Sequence, residues 1–426
     1  MTTTLSPTEI RLLDALDERA LIDDLVRLVQ VPSVTGTDAE SELQHRVARV
    51  LTEADLDVDV WKLDLDDLGR RAGFPGTEAP RSEAYGLVAT TRGEGTPALV
   101  LQGHVDVVPI GDPANWGAMD PFGARIADGV LHGRGACDMK AGVAANAAVL
   151  RTLLRSGVRL ERPLAVHWVV SEEDGGLGAL ATMMRGHRGE AAVITEPTSG
   201  NIVVANAGAL TFRIEIEGRA AHGSTRTEGV SAFEAFLPIH RAIAELESRR
   251  NVDPPELFGT NTLPYPISIG MLSAGDWASS VPDRLVADGR FGVILDEDPR
   301  DARRALEETI ADAAARDPWL RAHPPTVSWP GGQFASGRTV EGHPVIEQIA
   351  TAVSDCTGQT APALAAAPYG SDLRLYAGVG GIPSLHFGPG DVRMAHAPRE
   401  QVALDELIGA TRALLVLAAR RCGAHL

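Results

Sequence analysis

Ala98-Leu99-Val100-Leu101-Gln102 runs directly into Gly103-His104-Val105-Asp106. A short, nearly unbroken apolar run of this kind reads as a strand buried on both faces, as parallel sheets require. Its carboxyl end carries an imidazole and a carboxylate, and ligands in open α/β sheets gather at the carboxyl ends of strands. The pattern recurs downstream. Leu164–Val170 ends in Ser171-Glu172-Glu173-Asp174, and Ala191–Thr195 ends in Glu196-Pro197. Between the first two lies Gly133-Arg134-Gly135-Ala136-Cys137-Asp138-Met139-Lys140, followed by a helical stretch over Ala141–Ser156. Buried strands alternating with helices predict an α/β fold whose mostly parallel sheet is covered by helices.

Toward the N-terminus, Ser6-Pro7-Thr8-Glu9 has the form of a capping box with proline at the first helical position. Apolar residues from Leu12 to Val29 then keep a helical period until Val31-Pro32-Ser33. A helix over about 38–54 follows, and Trp61–Ala84, rich in Gly, Pro, Asp and Arg, reads as a surface excursion. After Gly208 the character changes. Thr211–Glu217 and much of Arg284–Leu295 alternate apolar and polar residues, as antiparallel strands with one wet face do. With helices at about 229–249 and 299–315, this predicts an inserted α+β domain over 207–332. The insert divides the main domain into a first part (1–206) and a second (333–426). The second part carries a helix near 343–356, the strand Ser384–Phe387 and a final helix over 401–420.

The chain has 426 residues, of which 44% are hydrophobic and 23% charged, so disorder and fibre are excluded. At roughly 150 residues per domain there is room for two domains with insertions. Asp and Glu number 57 against 39 Lys and Arg, a net charge of −18. That balance argues against a nucleic-acid or anionic-membrane surface and leaves small molecules or protein as partners. Cys137, Cys356 and Cys422 are far apart and form no CxxC pair, which argues against a disulfide framework and fits a reducing compartment. Residues 1–30 carry Asp14, Asp17, Glu18, Asp23 and Asp24 where the apolar region of a signal peptide would lie. No apolar run approaches the roughly 20 residues that span a bilayer. The expected location is the cytoplasm.

Four sheet-associated segments thus bring His104, Asp138, the Glu172-Glu173 pair and Glu196 to one edge, and His396 in His396-Ala397-Pro398-Arg399-Glu400 could complete the set. Uncompensated carboxylates at one place repel and raise one another's pKa. Imidazole plus carboxylate is a donor set suited to Zn, Co or Mn. Five ligands exceed what one catalytic zinc with an open position takes, but they fit two ions about 3.5–4 Å apart if one carboxylate bridges. The implied chemistry is a binuclear hydrolase. Singly, each group has a plainer reading: a strand-end His or Asp that only hydrogen-bonds, or a Glu172-Glu173 pair that is a solvated helix start. Their joint occurrence is what points to metal. His45, His187, His240, His323, His343 and His425 read as surface or packing residues and His132 and His167 as structural, while His386 stays open.

The strings GHVDVVP (103–109), GRGACDMK (133–140), SEED (171–174), TEP (195–197), GRAAHGS (218–224), SSVPD (279–283), GSD (370–372), FGPG (387–390) and HAPRE (396–400) stand in this order. Together they resemble the M20 family of metallopeptidases and amidohydrolases, from about residue 20 to the C-terminus. Within it the chain is most similar to the acetylornithine deacetylase and succinyl-diaminopimelate desuccinylase branch. The resemblance implies that His104, Asp138 and Glu196 hold one metal and that Asp138, Glu173 and His396 hold the other, with Asp138 as bridge. It makes Glu172 the general base and Asp106 the group that orients the His104 imidazole, and it places a cis peptide at Asp138–Met139. In the family the insert forms the dimer, and the histidine matched by His222 enters the partner's active site to stabilise the oxyanion.

Many relatives have Asn where this chain has Ser279, and an Arg ten residues after the proline matched by Pro282. Here Arg290 follows by eight, which keeps a strand side chain on the same face, so Arg290 is a candidate for binding a substrate carboxylate. Arg374, Gly388 and Gly390 are further candidates for the substrate pocket. The family tends to place Glu at the position of Glu196 in acyl-removing and carboxypeptidase members, and Asp in aminopeptidases. The resemblance therefore implies a homodimeric, dinuclear amidohydrolase, loaded with zinc in the first instance, that cleaves a small N-acyl amino acid or related N-acyl amine. A dipeptidase or carboxypeptidase and a deformylase of a small amine are the nearer rivals. A non-catalytic binding protein is the remote one, since neither Glu172 nor any ligand has been lost.

Overall fold

The computed structural model describes residues 5–71, 73–358 and 360–426. Leu99–His104, Leu164–Val169 and Ala192–Ile194 are buried at every position, which is why their sequences are mostly apolar rather than alternating. They lie side by side and parallel, Leu99–His104 in the middle, and Ser384–His386 extends the parallel set from Ala192–Ile194. The margins differ from a purely parallel sheet. Leu56–Lys62 pairs antiparallel with Tyr85–Thr91, which pairs antiparallel with Leu164–Val169. At the other side Ile202–Asn206 runs antiparallel to Ser384–His386 and Gly337–Arg338, and parallel to Leu364–Ala367. The result is a nine-stranded sheet with a parallel centre.

Helices cover this sheet. Ala141–Arg155 is alanine-rich and buried along nearly its whole length, so it packs close against Leu99–His104 and the helices Glu18–Val29 and Leu404–Arg421. The N-terminal capping box forms, with the Ser6 hydroxyl accepting from the Glu9 N–H and Glu9 accepting from the Ser6 N–H. The helical region behind it divides into Pro7–Asp14 and Glu18–Val29, the second capped by Asp17.

A second, antiparallel sheet runs in the order Ile267–Ala274, Arg284–Val293, Gly208–Glu217, Thr326–Ser328, with Gln333–Phe334 also on Gly208–Glu217. Along Gly208–Glu217 buried and half-exposed positions alternate. Its apolar face packs under helices Ala232–Arg250 and Pro299–Ala314, forming a core of its own that includes Phe212, Ile214, Ile239, Phe291 and Leu306. Among the described residues no helix is long and apolar enough to cross a membrane.

The stretch 61–84 departs from expectation. It is not a surface excursion throughout, because Leu63, Leu68 and Ala84 join the main core and the Arg81 side chain is 4% exposed. Arg81 lies between the carboxylates of Asp174 (2.9 Å) and Glu40 (3.8 Å). Loops of Gly, Pro and charged residues can be buried when their polar groups find partners, and here Asp174 accepts from Arg81 Nη2 and from the Glu78 and Ala79 N–H groups.

Candidate active site

Three parallel strands end at one edge, so the residues that follow them converge. His104 closes its strand fully buried. Its Nδ1 bonds the main-chain carbonyl of Asp106 at 2.9 Å, which leaves Nε2 facing Asp138 Oδ1 (3.1 Å), Glu196 Oε1 (3.7 Å) and Glu172 Oε2 (4.0 Å). On the other side of Asp138, Oδ2 lies 3.5 Å from His396 Nε2, which meets Glu173 Oε2 at 3.0 Å. Two groups of donor atoms result, His104/Asp138/Glu196 and Asp138/Glu173/His396, each within 4.8 Å of one another and sharing Asp138. The peptide Asp138–Met139 is cis.

The electrostatics of this cluster call for positive charge. Burial and the neighbouring carboxylates raise the pKa of Glu196 and of Glu172 well above the ordinary carboxylate range, against the pull of His104. Burial opposes charge on His104, yet its hydrogen bond to the Asp138 carboxylate and the carboxylates of Glu196, Asp106 and Glu172 push its pKa well up. Glu173 raises His396 to about 9 despite its burial. A nest of carboxylates balanced by only two imidazoles suits divalent cations, whose hard to borderline character matches this donor set.

Asp106 does more than its position predicts. Its carboxylate is 3.6 Å from His104 Nδ1, and it also accepts from the Glu172 N–H (3.2 Å), the Glu173 N–H (3.1 Å) and the Thr35 hydroxyl (2.8 Å). It thereby holds the turn that presents Glu172 and Glu173. The same turn is gripped by Glu40, which accepts from the Ser171 N–H at 2.8 Å, and Ser171 sits at a positive φ of 63° that such bonds must sustain. Asp174, the last residue of SEED, accepts from the Ser171 hydroxyl, the Glu78 and Ala79 N–H groups and Arg81. No local pattern marks Thr35, Glu40 or Arg81 for this task.

The remaining candidates divide. Arg374 is 8% exposed, and burial lowers its pKa to about 10. It donates to the carbonyls of Ser371 and Gly175 and lies over the Phe334 ring, so it braces the turn beside Glu172. Gly388 and Gly390 serve close backbone approach: a Cβ on Gly388 would stand 2.3 Å from the Thr195 carbonyl, and Gly390 has φ 97° with Cys137 Sγ at 2.8 Å from such a Cβ. Arg290 is half-buried and donates to the Pro368 carbonyl at 3.0 Å. His222 is exposed on the second sheet's unit, bonded to the Ser224 hydroxyl, with Ser279 beside it accepting from the Gly223 N–H. Neither His222 nor Ser279 joins the donor groups within this chain.

The sequence model of peptidase family M20/M25/M40 matches residues 100–420. The chain is 26% identical over 430 residues to the N-formyl-4-amino-5-aminomethyl-2-methylpyrimidine deformylase of Halalkalibacterium halodurans, covering 94% of this chain and 95% of the relative. It is 30% identical over 400 residues to the acetylornithine deacetylase of Edwardsiella ictaluri, covering 91% and 94%. Among solved structures, the dipeptidase Dug1p of Saccharomyces cerevisiae has the same fold, with a TM-score of 0.75 at 13% identity and 99% of each chain covered. With the ordered motifs, the parallel-centred sheet and the paired donor groups, the chain belongs to peptidase family M20/M25/M40 and is a hydrolase of C–N amide bonds.

Proposed function

We propose that the chain is a dinuclear, metal-dependent amidohydrolase that cleaves the amide of a small N-acyl amino acid or related N-acyl amine. One observation carries the reading: the two oxygens of Asp138 face two separate donor groups, His104 with Glu196 and Glu173 with His396. Two divalent ions held there, zinc first, with cobalt or manganese as substitutes, would acidify a water and polarise the acyl carbonyl. Glu172, whose Oε2 lies 4.0 Å from His104 Nε2 beside the donor groups, takes the proton of the attacking water and returns it to the leaving amine. Asp106 keeps both the His104 ring and the Glu172 turn in place.

Arg290 supports a substrate that carries a carboxylate. It has no acidic partner within ion-pair distance among the described residues, and burial lowers its pKa. An unpaired guanidinium in such surroundings fits a ligand anion. A formyl group is the smallest acyl version of the same chemistry, and the full-length similarity to a deformylase favours it as a second reading.

The proposal extends to assembly. Residues 207–332 act as an inserted lid and dimerisation domain between 1–206 and 333–426, supported by their separate sheet and core. Ile267–Ala274 is an edge strand with Met271 and Leu272 exposed, and Trp277 just beyond it is 73% exposed. Unprotected apolar edges of this kind pair with another copy, which would carry His222 into the partner's site, where it stabilises the oxyanion. A cytoplasmic location fits the three free cysteines.

The test is to load metal-stripped protein with zinc, cobalt or manganese and offer N-acetyl, N-succinyl and N-formyl amino acids and dipeptides, following amine release. Turnover of acylated substrates is expected. Cleavage of dipeptides alone would replace the deacylase reading with the dipeptidase one, and no metal-restored turnover of any of them would contradict the proposal.

A further inference from the structure

Arg134 and Glu400 belong to the GRGACDMK and HAPRE strings, and neither is a donor in the two metal groups. Both are buried, at 2% and 1% exposure. Glu400 Oε2 accepts from Arg134 Nη1 at 2.6 Å, while Oε1 accepts from the Cys137 N–H and the Asp138 N–H, each at 3.0 Å. The carboxylate therefore grips the main chain at the residue whose side chain is shared by the two donor groups. Arg134 uses its fork elsewhere: Nη2 donates to the carbonyls of His396 (3.3 Å) and Pro109 (3.4 Å), and Nη1 also reaches Ala397 (3.5 Å). Its guanidinium lies 5.3 Å from the centroid of the Trp116 ring.

We infer that the Arg134–Glu400 pair is the positioning element that fixes the two metal positions relative to one another. The inference rests on the dinuclear reading above. Three loops meet at the pair: the one leaving His104 through Pro109, the one presenting Asp138, and the one carrying His396. Asp138 must offer Oδ1 to one group and Oδ2 to the other at once, so a small displacement of its main chain disturbs both. His396 is held at φ 59°, a left-handed conformation that costs a β-carbon-bearing residue energy and persists only where surrounding bonds impose it. The bond from Arg134 to its carbonyl is such a bond. A buried ion pair is a poor source of stability, because desolvation offsets its attraction. A pair whose Arg134 Nη groups and Glu400 Oε1 bond the backbone of three ligand loops instead defines geometry. Lysine could replace the charge of Arg134 but has no fork with which to reach His396, Pro109 and Glu400 together.

The test uses the full chain, stripped of metal, in wild-type form and as Arg134→Lys and Glu400→Gln. Zinc is titrated against a chromophoric chelator, the visible spectrum of the cobalt-loaded protein is recorded, and circular dichroism follows folding and melting of the metal-free chains. The expected result is native circular dichroism with affinity for both ions weakened about 10–100-fold, together with an altered cobalt spectrum. If wild-type protein binds two ions and Arg134→Lys binds both with unchanged affinity, the pair is merely structural and the inference is overturned, whatever happens to the melting temperature. Should Glu400→Gln fail to fold, Arg134→Lys decides alone. Fewer than two ions on the wild type would overturn the dinuclear reading itself, and this inference with it.

Discussion

Glu172 and Glu173 are neighbours in sequence whose side chains diverge at a strand end, one toward His104 and one toward His396. Glu172→Gln is expected to keep both metals and lose about 10²–10⁴-fold in turnover, the span for a removed acid–base group. Glu173→Gln should lose metal as well, and metal analysis beside kinetics separates the two. Equal metal loss in both variants would contradict the division of roles. A different residue tests the buried interior. His167 is fully buried against the Tyr376 hydroxyl (2.8 Å), and burial lowers its pKa to about 3. Unfolded, it titrates near 6.5, so between these values the unfolded chain binds a proton that the folded chain refuses. The stability it confers is present above about pH 6.5 and drains as pH falls, by up to about 1.4 kcal/mol per unit. His167→Gln removes that slope. Urea unfolding of the metal-free proteins at pH 7 and pH 5 should show wild type losing more than the variant, and parallel losses would mean that the folded imidazole is charged.

At the scale of elements, the strands bearing His104, Glu172 and Glu196 are legible because complete burial leaves an apolar run, and the polar residue that ends it stands out. The antiparallel margin is less legible: along Leu56–Lys62 no position is fully buried and Val58 and Asp59 interrupt the alternation. The loop through residues 74–81 was legible as irregular backbone but not as buried, since composition reports turns and cannot report what lies beneath them. Arg81 reaches Asp174 and Glu40 across more than 40 residues of sequence at the least. Glu78 continues the link, accepting from the Thr211 hydroxyl (2.6 Å) and the Gly332 N–H (3.2 Å) where the second sheet joins the first. Arg81→Met would leave buried carboxylates without their cation, at a cost of about 3–5 kcal/mol. Chemical denaturation measures it, and a loss under about 1 kcal/mol, as for an exposed pair, would show that the loop is not a structural tie.

At the scale of the whole molecule, the donor set is legible at strand ends, while His222 is legible only through the resemblance of GRAAHGS, and within one chain it is exposed and bonded to the Ser224 hydroxyl. His222→Ala should remain folded, bind metal normally and be nearly inactive. Exchanged with Glu172→Gln chains, it should form heterodimers in which one site has both defects and the other has neither, so about a quarter to a half of wild-type activity per heterodimer should return. Verified heterodimers that stay dead, while wild-type chains survive the same exchange, would contradict catalysis in trans. Two ions, bridged by Asp138, are proposed to make this chain an amidohydrolase. The most direct test is to titrate metal-stripped protein with zinc while following hydrolysis of the best N-acyl substrate and counting bound ions in the same samples. Activity is expected to reach its maximum only when two ions per chain are bound. Full activity at one ion per chain, or with none, would contradict it.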